Sequence, residues 1–177
     1  SGFTFRGKVH NEPNGNIRVI QLKNLNDDYT GINDDCFFVD GKNIKQKFIL
    51  EDGDILFVSK GSNNYAVVYH KKDNIPTISS SSLFVIQVNK DVANPDYVAW
   101  YINQPPVQRH FEQSQEGTYT MSINRKSLEE SPIKIPSLRE QESITKLVKL
   151  SQKEQHIYNR LSELKQNLTQ HQLLKTL

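Results

Sequence analysis

At 177 residues, the chain is long enough for one core domain and an appendage. Its hydrophobic fraction of 36% and its mean hydropathy of −0.63 predict a soluble protein, and it has no run of about 18 apolar residues that would cross a membrane. The net charge of +2 excludes a strongly basic binder of nucleic acids, so any binding surface for a charged partner must be a local patch.

Cysteine usage and the N-terminal residues bear on the cellular compartment. The lone Cys36 cannot form an internal disulfide, which is typical of a reducing cytoplasm. The chain shows no signal-peptide h-region, and its opening Ser-Gly has the composition of a tag remnant. A cytoplasmic location is therefore predicted.

The first half of the chain has the pattern of short strands separated by turns. The four apolar residues Ile55–Val58 form an unbroken run, which predicts a strand buried on both faces. Turn residues such as Gly15, Gly41 and Gly53 separate the apolar runs. Further strands are predicted at 17–22, 36–39, 65–69 and 83–88.

Helices are predicted in the second half. Asn-Pro-Asp at 94–96 combines a favoured N-cap, a proline at the first helical position and an acid near the positive end of the helix dipole. Pro105-Pro106 ends this helix, and a second short helix with Val107 and Phe111 facing inward follows. A strand bounded by prolines is then predicted at 131–136.

A long helix is predicted to close the chain. Ser137 and Glu140 have capping-box spacing, and no Gly or Pro follows them, so a helix of ~38 residues and ~57 Å is expected. The predicted domains are therefore 1–136 and 137–177, in an α+β fold with a twisted, mostly antiparallel sheet and a long C-terminal, coiled-coil-like helix. A narrow apolar seam runs along the helix and consists of Leu147, Leu150, Glu154, Ile157, Leu161, Leu164, Leu168 and His171.

This helix is too long for a small sheet to bury along its whole length. Its outer half therefore needs a partner helix, from a second copy or from another subunit. The apolar members of the seam, Leu147, Leu150, Ile157, Leu161, Leu164 and Leu168, are the predicted dimerisation residues.

A polar loop follows the strand that is predicted to be buried, and such loops often carry binding residues. Its lysine could meet a phosphate, its hydroxyl and amide groups could reach phosphates or base edges, and its tyrosine could stack on a base. The candidate residues are Lys60, Ser62, Asn63, Asn64 and Tyr65. An ordinary hairpin turn explains the same pattern equally well.

Two further segments carry positive charge. His70-Lys71-Lys72 could contact a phosphate, although a solvated turn is the commoner role of such a trio. The hydroxyl-rich and aromatic stretch at 117–122 precedes Arg125 and Lys126, and its side chains would suit contacts with a groove or a backbone. The candidates in that stretch are Thr118, Tyr119 and Thr120.

The sequence has little that indicates a catalytic site. The five histidines show no metal-binding H-E-x-x-H spacing, and Cys36 lacks a second cysteine for a zinc site, so it reads as a buried core thiol. Asp54 and Lys60 could imitate the acid and lysine of a nuclease, but Asp54 follows Gly53 in a plain turn. Neither a catalytic residue nor a metal site is predicted.

Four segments in order carry a resemblance to a known family. They are Asp-Gly-Asp-Ile-Leu-Phe-Val-Ser-Lys-Gly-Ser (52–62), Asn-Pro-Asp-Tyr-Val-Ala-Trp-Tyr-Ile (94–102), Gly-Thr to Ile (117–123) and Ile-Lys-Ile-Pro-Ser-Leu-Arg-Glu-Gln (133–141) before a long helix. Across nearly the whole chain, their order and spacing resemble the DNA sequence-specificity subunit of type I restriction-modification systems. On this resemblance, the segment at 117–126 is favoured as a DNA contact.

The resemblance implies a role in target recognition. A recognition domain of this family reads one half of a split site in double-stranded DNA, and the spacer helices pair antiparallel and set the distance between the halves. Methyltransferase subunits, which bind S-adenosylmethionine, clamp onto this scaffold, and a restriction subunit can join them. The specificity subunit itself is implied to carry no catalytic residue and no cofactor.

One departure from the family pattern is clear. Family members usually have two recognition domains and two spacer helices, whereas this chain has one of each, so it is expected to be a half-size subunit or a fragment. A homodimer through the helix would present two identical readers about a two-fold axis and would prefer a split palindrome.

Two other functions stay open. The chain could be a protein-interaction scaffold without DNA binding, or an inhibitor of assembly that occupies methyltransferase subunits. It could also be a nuclease or another hydrolase, which would require metal-dependent cleavage by the chain alone.

Overall fold

The computed structural model describes residues 1–26, 31–42, 44–61, 63–115 and 122–175, apart from the side chain of Gln115. The strands are β1 (Ile17–Ile20), β2 (Phe37–Val39), β3 (Ile55–Val58), β4 (Ala66–Val68), β5 (Thr77–Ser79) and β6 (Leu83–Ile86). The helices are α1 (Pro95–Ile102), α2 (Pro105–Gln115), α3 (Arg125–Glu129) and α4 (Leu138–Lys175), and two short 3-10 helices span Leu22–Asn24 and Gln46–Phe48.

The described strands form two three-stranded sheets, with the orders β2-β1-β5 and β4-β3-β6. Pairing is antiparallel except between β1 and β5, which are parallel. The predicted α+β class with mostly antiparallel pairing is confirmed, and the strands are divided between two sheets. Strand β5, which completes the sheet of β1 and β2, was not predicted, because its Thr77 and Ser79 are buried polar residues that leave no apolar run in the sequence.

Strand β3 lies at the centre of the molecule and is buried on both faces, as predicted. Ile55 and Phe57 belong to a core cluster under α1 and α2, whereas Leu56 and Val58 belong to a second cluster on the opposite face. This division follows from the two-residue period of a strand. Because both faces are covered, only the two ends of β3 are free to support a site.

Helices α1 and α2 cover the first of these faces. The N-cap Asn94 accepts hydrogen bonds from the backbone N–H groups of Asp96 and Tyr97, as the sequence predicts. Val107 and Phe111 are buried, and the Phe111 ring lies 5.3 Å from that of Phe57 between centroids. The two prolines at 105–106 begin α2, where a missing N–H costs no hydrogen bond.

The segment at 131–136 is not a strand, so that prediction is wrong. Pro132 and Pro136 have no N–H to donate to a ladder, which keeps such a segment out of a sheet. It is instead a connection whose Lys134 carbonyl accepts a hydrogen bond of 2.8 Å from the Tyr97 hydroxyl. The segment therefore holds the start of α4 close to α1.

Helix α4 has 38 residues, which is the predicted length. Its capping box is formed, because the Ser137 N–H donates to the Glu140 carboxylate at 3.0 Å and the Glu140 N–H donates to the Ser137 hydroxyl at 3.4 Å. The Ser137 hydroxyl also donates to the Glu140 carboxylate at 2.6 Å, and this bond, together with the one from the Ser137 N–H, lowers the pKa of Glu140. Of the helices in the described ranges, none has the apolar length needed to pass through a membrane.

Candidate nucleic-acid interface and helix surfaces

The loop after β3 is a tight turn that exposes a lysine and an amide. Gly61 has a φ of +99°, a conformation that suits glycine. The Asn64 side-chain amide closes the turn by donating to the Val58 carbonyl at 3.0 Å. Lys60 and Asn63 are exposed at the surface of this loop. Of the predicted loop residues, these two are therefore available to a partner.

Asn64 and Tyr65 lie inside the protein. They are 6% and 8% exposed, and Tyr65 packs in the core cluster with Leu56 and Val58. Their observed roles are to close the loop and to fill the core. A direct contact of either side chain with DNA would require it to leave these positions.

The chain after residue 121 returns to the same loop. Lys60 forms an antiparallel bridge with Ser122, and the Ile123 N–H donates to the Ser59 carbonyl at 2.7 Å. Helix α3 begins three residues after Ser122, capped by Asn124. Two segments that the sequence singled out separately are therefore neighbours.

Arg125 and Lys126 form the first turn of α3, and their side chains are 84% and 82% exposed. Each lies near an exposed glutamate four residues later, Glu129 at 2.7 Å and Glu130 at 3.8 Å. Such exposed pairs are weak and exchange readily with another anion. We call Lys60, Asn63, Arg125 and Lys126 the tip surface.

Four of the predicted contacts, Ser62, Thr118, Tyr119 and Thr120, lie outside the described residues. They stay predictions. Residues 116–121 connect α2 to the bridge at Ser122, and Ser62 follows Gly61.

Lys71 and Lys72 lie at the other end of β3. The Lys71 N–H donates to the Asp52 carboxylate at 2.9 Å, just before β3 begins, whereas Lys60 follows its last residue. Four strand residues, about 13 Å, separate these ends. The structure therefore does not bring the two lysines together with the tip surface.

Carboxylates surround Lys71 and Lys72. The Lys72 ammonium lies 2.6 Å from Asp34 and lowers the pKa of that carboxyl. Beside it, Arg18 donates two hydrogen bonds to Asp73, at 3.2 and 2.6 Å, and lowers the pKa of Asp73. The Lys72–Asp34 pair is itself exposed, with side chains 61% and 86% exposed, so it is as weak as the pairs of the tip surface.

A nuclease site of Asp54 and Lys60 is not formed, because the two residues lie at opposite ends of β3. Asp54 is 5% exposed and accepts a hydrogen bond from the Glu51 N–H at 2.9 Å, so its role is to form a turn. Burial raises the pKa of Asp54 and also that of the Cys36 thiol, which is buried as predicted. Within the described ranges, no group of three or more His, Cys, Asp or Glu side chains is arranged to hold a metal ion.

The base of α4 is joined to α1 by Gln141, which is completely buried. Its side-chain carbonyl accepts a hydrogen bond from the Asn94 N–H at 2.8 Å. Its amide donates to the carbonyls of Val92 at 3.0 Å and Pro136 at 2.8 Å. One side chain thereby ties the start of α4 to the N-cap of α1 and to the preceding connection.

A second link lies two turns further along α4. The Lys149 ammonium is 2.6 Å from one oxygen of Asp96, and His70 Nε2 is 3.1 Å from the other. The hydrogen bond from His70 and the Lys149 charge lower the pKa of Asp96 to about 2, and Asp96 raises the pKa of His70. A single carboxylate on α1 thus holds α4 and the chain after β4 together.

The sequence reasoning did not assign these linking roles. The spacings of four and three place Gln141, Thr145 and Val148 on one helix face, but two of them are polar, so the sequence does not show that this face is buried. Gln141 and Thr145 are buried and Val148 is half-buried. We call this side the docked face of α4.

The apolar seam lies on the opposite side of α4. At about 100° per residue, its six apolar members fall between about 140° and 240° around the helix from Gln141. All six are exposed, from 44% for Leu161 to 67% for Leu147. A second helix can therefore cover the seam without displacing the contacts of the docked face.

Two solved structures have a fold similar to that of this chain. The crystal structure of an HsdS subunit from Thermoanaerobacter tengcongensis matches with a TM-score of 0.66 and 17% identity, over 81% of this chain and 37% of that one. A chain from a structural study of complex assembly and conformational transition in the type I R-M system matches with a TM-score of 0.68 and 15% identity, over 85% of this chain and 39% of that one. This chain therefore spans less than half the length of either.

A search of curated proteins gave no match. A family model does match, and it covers residues 1–175, almost the entire chain. Its description is the type I restriction modification DNA specificity domain. The solved structures agree with this description, since one is named an HsdS subunit and the other comes from a study of the type I R-M system. The chain belongs to the family of type I restriction-modification DNA specificity domains.

Proposed function

We propose that this chain reads one half of a bipartite DNA site through its tip surface and pairs with a second spacer helix through the apolar seam. The main observation behind this proposal is the placement of the two surfaces. The tip surface and the apolar seam are both exposed, while the docked face joins α4 to the recognition domain. Specificity subunits of this family are generally non-catalytic. The chain is accordingly proposed to direct the chemistry of methyltransferase subunits that bind S-adenosylmethionine.

The tip surface supports the DNA contact. Lys60, Arg125 and Lys126 supply three cations, and Asn63 supplies an amide that can both donate to and accept from a base edge. The two glutamates that neighbour α3 cations are themselves exposed, so phosphates can replace them at little cost. Thr118, Tyr119, Thr120 and Ser62 are proposed to contribute to the same surface by their positions in the chain.

Lys71 and Lys72 are proposed for a secondary contact at the other end of the reader. These are two lysines, against three cations at the tip surface, and Asp34 partly neutralises Lys72. We therefore expect them to contribute less than the tip surface. Asn64 and Tyr65 are proposed to act by shaping the loop that presents Lys60 and Asn63.

The exposed seam supports pairing. From Lys149 to Lys175 every described residue of α4 is exposed, a length of about 40 Å. A helix in water gains most of its stability from packing, so an isolated stretch of this kind with a bare leucine stripe is expected to acquire a partner. A second copy supplies an identical stripe, and two-fold antiparallel pairing about Ile157 would match Leu150 with Leu164.

Methylation mapping tests the reading function. The chain is co-expressed with the methyltransferase subunit encoded beside it, and modified bases are mapped along the host genome. We expect a bipartite palindromic motif. Lys60→Ala with Arg125→Ala should abolish or alter it, whereas Lys153→Ala, on the outer part of α4, should leave it intact.

Salt titration supplies an independent measure on the chain alone. Binding to a fluorescent duplex is measured between 50 and 200 mM salt, with ~1 unit of log–log slope expected for each phosphate contact. Arg125→Ala should reduce the slope by about one, and Lys153→Ala should not. Tip variants that change neither the slope nor the methylation motif would refute DNA reading and favour the scaffold or inhibitor of assembly.

A further inference from the structure

The contacts between reader and helix are more specific than attachment requires. Gln141 satisfies three backbone groups from two segments, and it does so with no solvent exposure. Eight residues later, Lys149 meets Asp96 at 2.6 Å. Eight residues correspond to about 12 Å of helix, so Gln141 and Lys149 hold α4 at two separated points, with the buried Thr145 and the half-buried Val148 between them.

A helix that is held at two separated points has a fixed direction, whereas a helix that is held at one point can rotate about it. With a base of about 12 Å, a shift of ~1 Å at one point tilts the helix by about 5°. The centre of the seam lies about 25 Å from Gln141, and a 5° tilt moves it by ~2 Å. With one point released, a tilt of 10° moves it by about 4 Å, which exceeds the ~3.4 Å rise of one base pair along a strand.

We propose that Gln141 and Lys149 are positioning residues that fix the angle between the reader and the spacer helix, and so determine the spacing between half-sites that the paired protein accepts. Asp96 acts with them as the common anchor on α1. This inference rests on the proposed function, because spacing has meaning only if two readers share one DNA. The angle itself is a property of the single chain and is measured without DNA.

His70 is a second partner of Asp96 beside Lys149. His70 lies opposite Lys149 on Asp96, and its protonated form adds a second positive charge beside the same carboxylate. Both cations contact different oxygens of Asp96, so protonation of His70 does not remove the Lys149 contact. Loss of Lys149 therefore leaves Asp96 paired and should affect the angle without exposing an unpaired buried charge.

Electron–electron distance measurement tests the angle. Nitroxide labels are placed on exposed positions of α2 and α4 through Glu112→Cys and Gln166→Cys, and labelled chains are diluted with unlabelled ones so that only distances within one chain are recorded. Cys36 is buried, and a chain without introduced cysteines verifies that it takes up no label. We expect a narrow distribution of distances between the two labels in the parent chain.

Three variants are compared in this background. Gln141→Leu and Lys149→Gln should each widen the distribution at least twofold, whereas Lys153→Gln, the same change four residues further along, should not. Among the described residues, Lys153 has no ion-pair partner. Lys149→Gln alters an exposed side chain, so the test does not depend on the folding of Gln141→Leu. Unchanged widths in Lys149→Gln and in folded Gln141→Leu would overturn the proposal.

A DNA readout separates positioning from a merely structural role. Duplexes carrying the mapped motif with spacers one and two base pairs shorter or longer are compared for binding. The parent should prefer one spacer at least tenfold, and the two variants should lower this preference below threefold. Equal weakening at all spacers would overturn the spacing role. If the distance distributions widen in the two variants but the parent chain gives no bipartite methylation motif, the positioning role of Gln141 and Lys149 is supported and the proposed function is refuted.

Discussion

The first twelve residues of α4 and the remaining twenty-six are parts of one unbroken helix, but they meet different surroundings. At the base, Gln141 is fully buried and Thr145 is 7% exposed, so tertiary contacts hold the helix. From Leu150 onward every described residue is exposed, including Leu161 and Leu164 of the seam. The base is stabilised within the chain, whereas the outer part has apolar surface that only another molecule can cover.

The charged side chains show the same contrast. Lys149 at the base pairs with Asp96, 53 residues earlier, and so joins two elements. Arg160 in the outer part pairs with Glu163, one turn away on the same helix. The first kind of pair determines tertiary geometry, and the second adds little beyond local helix stability. Substitutions in each part should therefore have distinct consequences.

The largest effect is expected in the seam. Leu161→Lys should weaken self-association at least 1000-fold, or about 4 kcal/mol, because each paired chain would bury an uncompensated charge in place of a leucine. Light scattering across a concentration series gives the mass. Leu174→Lys, about 140° away from Leu161 around the helix, is the matched control, and the chain that carries it should still self-associate. A parent chain that is monomeric at all concentrations would remove the distinction between the two parts.

The next effect is expected at the base. Gln141→Leu should lower the free energy of unfolding by about 3 kcal/mol, because it leaves an N–H and two carbonyls without their partner in part-buried surroundings. Urea denaturation measures this. Gln166→Leu makes the same change in the outer part and should fall within about 0.5 kcal/mol of the parent. Equal effects at both positions would show that the base is no better anchored than the outer helix.

A pH-dependent effect of about 2 kcal/mol is expected from Asp96. Its pKa falls from 3.8 to about 2 on folding, so its contribution is present above pH 4 and is lost as the pH falls towards 2. Asp96→Asn should remove this part of the acid dependence in urea titrations between pH 2 and pH 5. Asp91→Asn, at an exposed carboxyl with no ion pair among the described residues, serves as the control, and an acid dependence unchanged by Asp96→Asn would contradict the assignment.

The stability contributed by His70, the other partner of Asp96, has the opposite dependence on pH. Its pKa is raised by Asp96, so the stabilisation by its charged form is present below its ordinary pKa of 6.5 and is lost as the pH rises through the higher folded value. His70→Gln should flatten the stability profile just above pH 6.5. A profile unaltered by this change would show that the His70 contact with Asp96 is not maintained in solution.

The smallest effect is expected from the local pair in the outer part. Glu163→Gln should change stability by no more than about 0.5 kcal/mol, because both partners are more than 60% exposed. Urea denaturation at low and high salt measures it, with Lys149→Gln as the comparison at the base. A larger loss of unfolding free energy from Glu163→Gln than from Lys149→Gln would contradict the view that the base of α4 is the better anchored part.

Much of the fold could be predicted because local patterns carry it. The apolar run at Ile55–Val58 predicted a strand buried on both faces, and Asn94 and Ser137 predicted two helix starts that the structure has. Strand β5 could not be predicted in this way. Its polar Thr77 and Ser79 are buried only because β1 and the residues around Phe3 pair with that segment from far along the chain.

The candidate site was predictable in part and for the same reason. Polar residues after a buried strand predicted the loop at Lys60, but not that Asn64 and Tyr65 would turn inward. The meeting of Lys60 with Ser122 depends on a contact between segments 62 residues apart. The separation of Lys71 and Lys72 from this surface likewise follows from the antiparallel pairing of β3 and β4.

The sequence by itself determined the length of α4, its capping and the position of its apolar seam, because these depend on residues within a few turns of one another. Only the tertiary structure decided which side of that helix meets the reader. A buried glutamine and an exposed one are the same residue in the sequence, and the backbone groups that bury Gln141 come from Val92 and Asn94, nearly fifty residues earlier. The direction of the helix therefore arises from contacts that no local pattern contains.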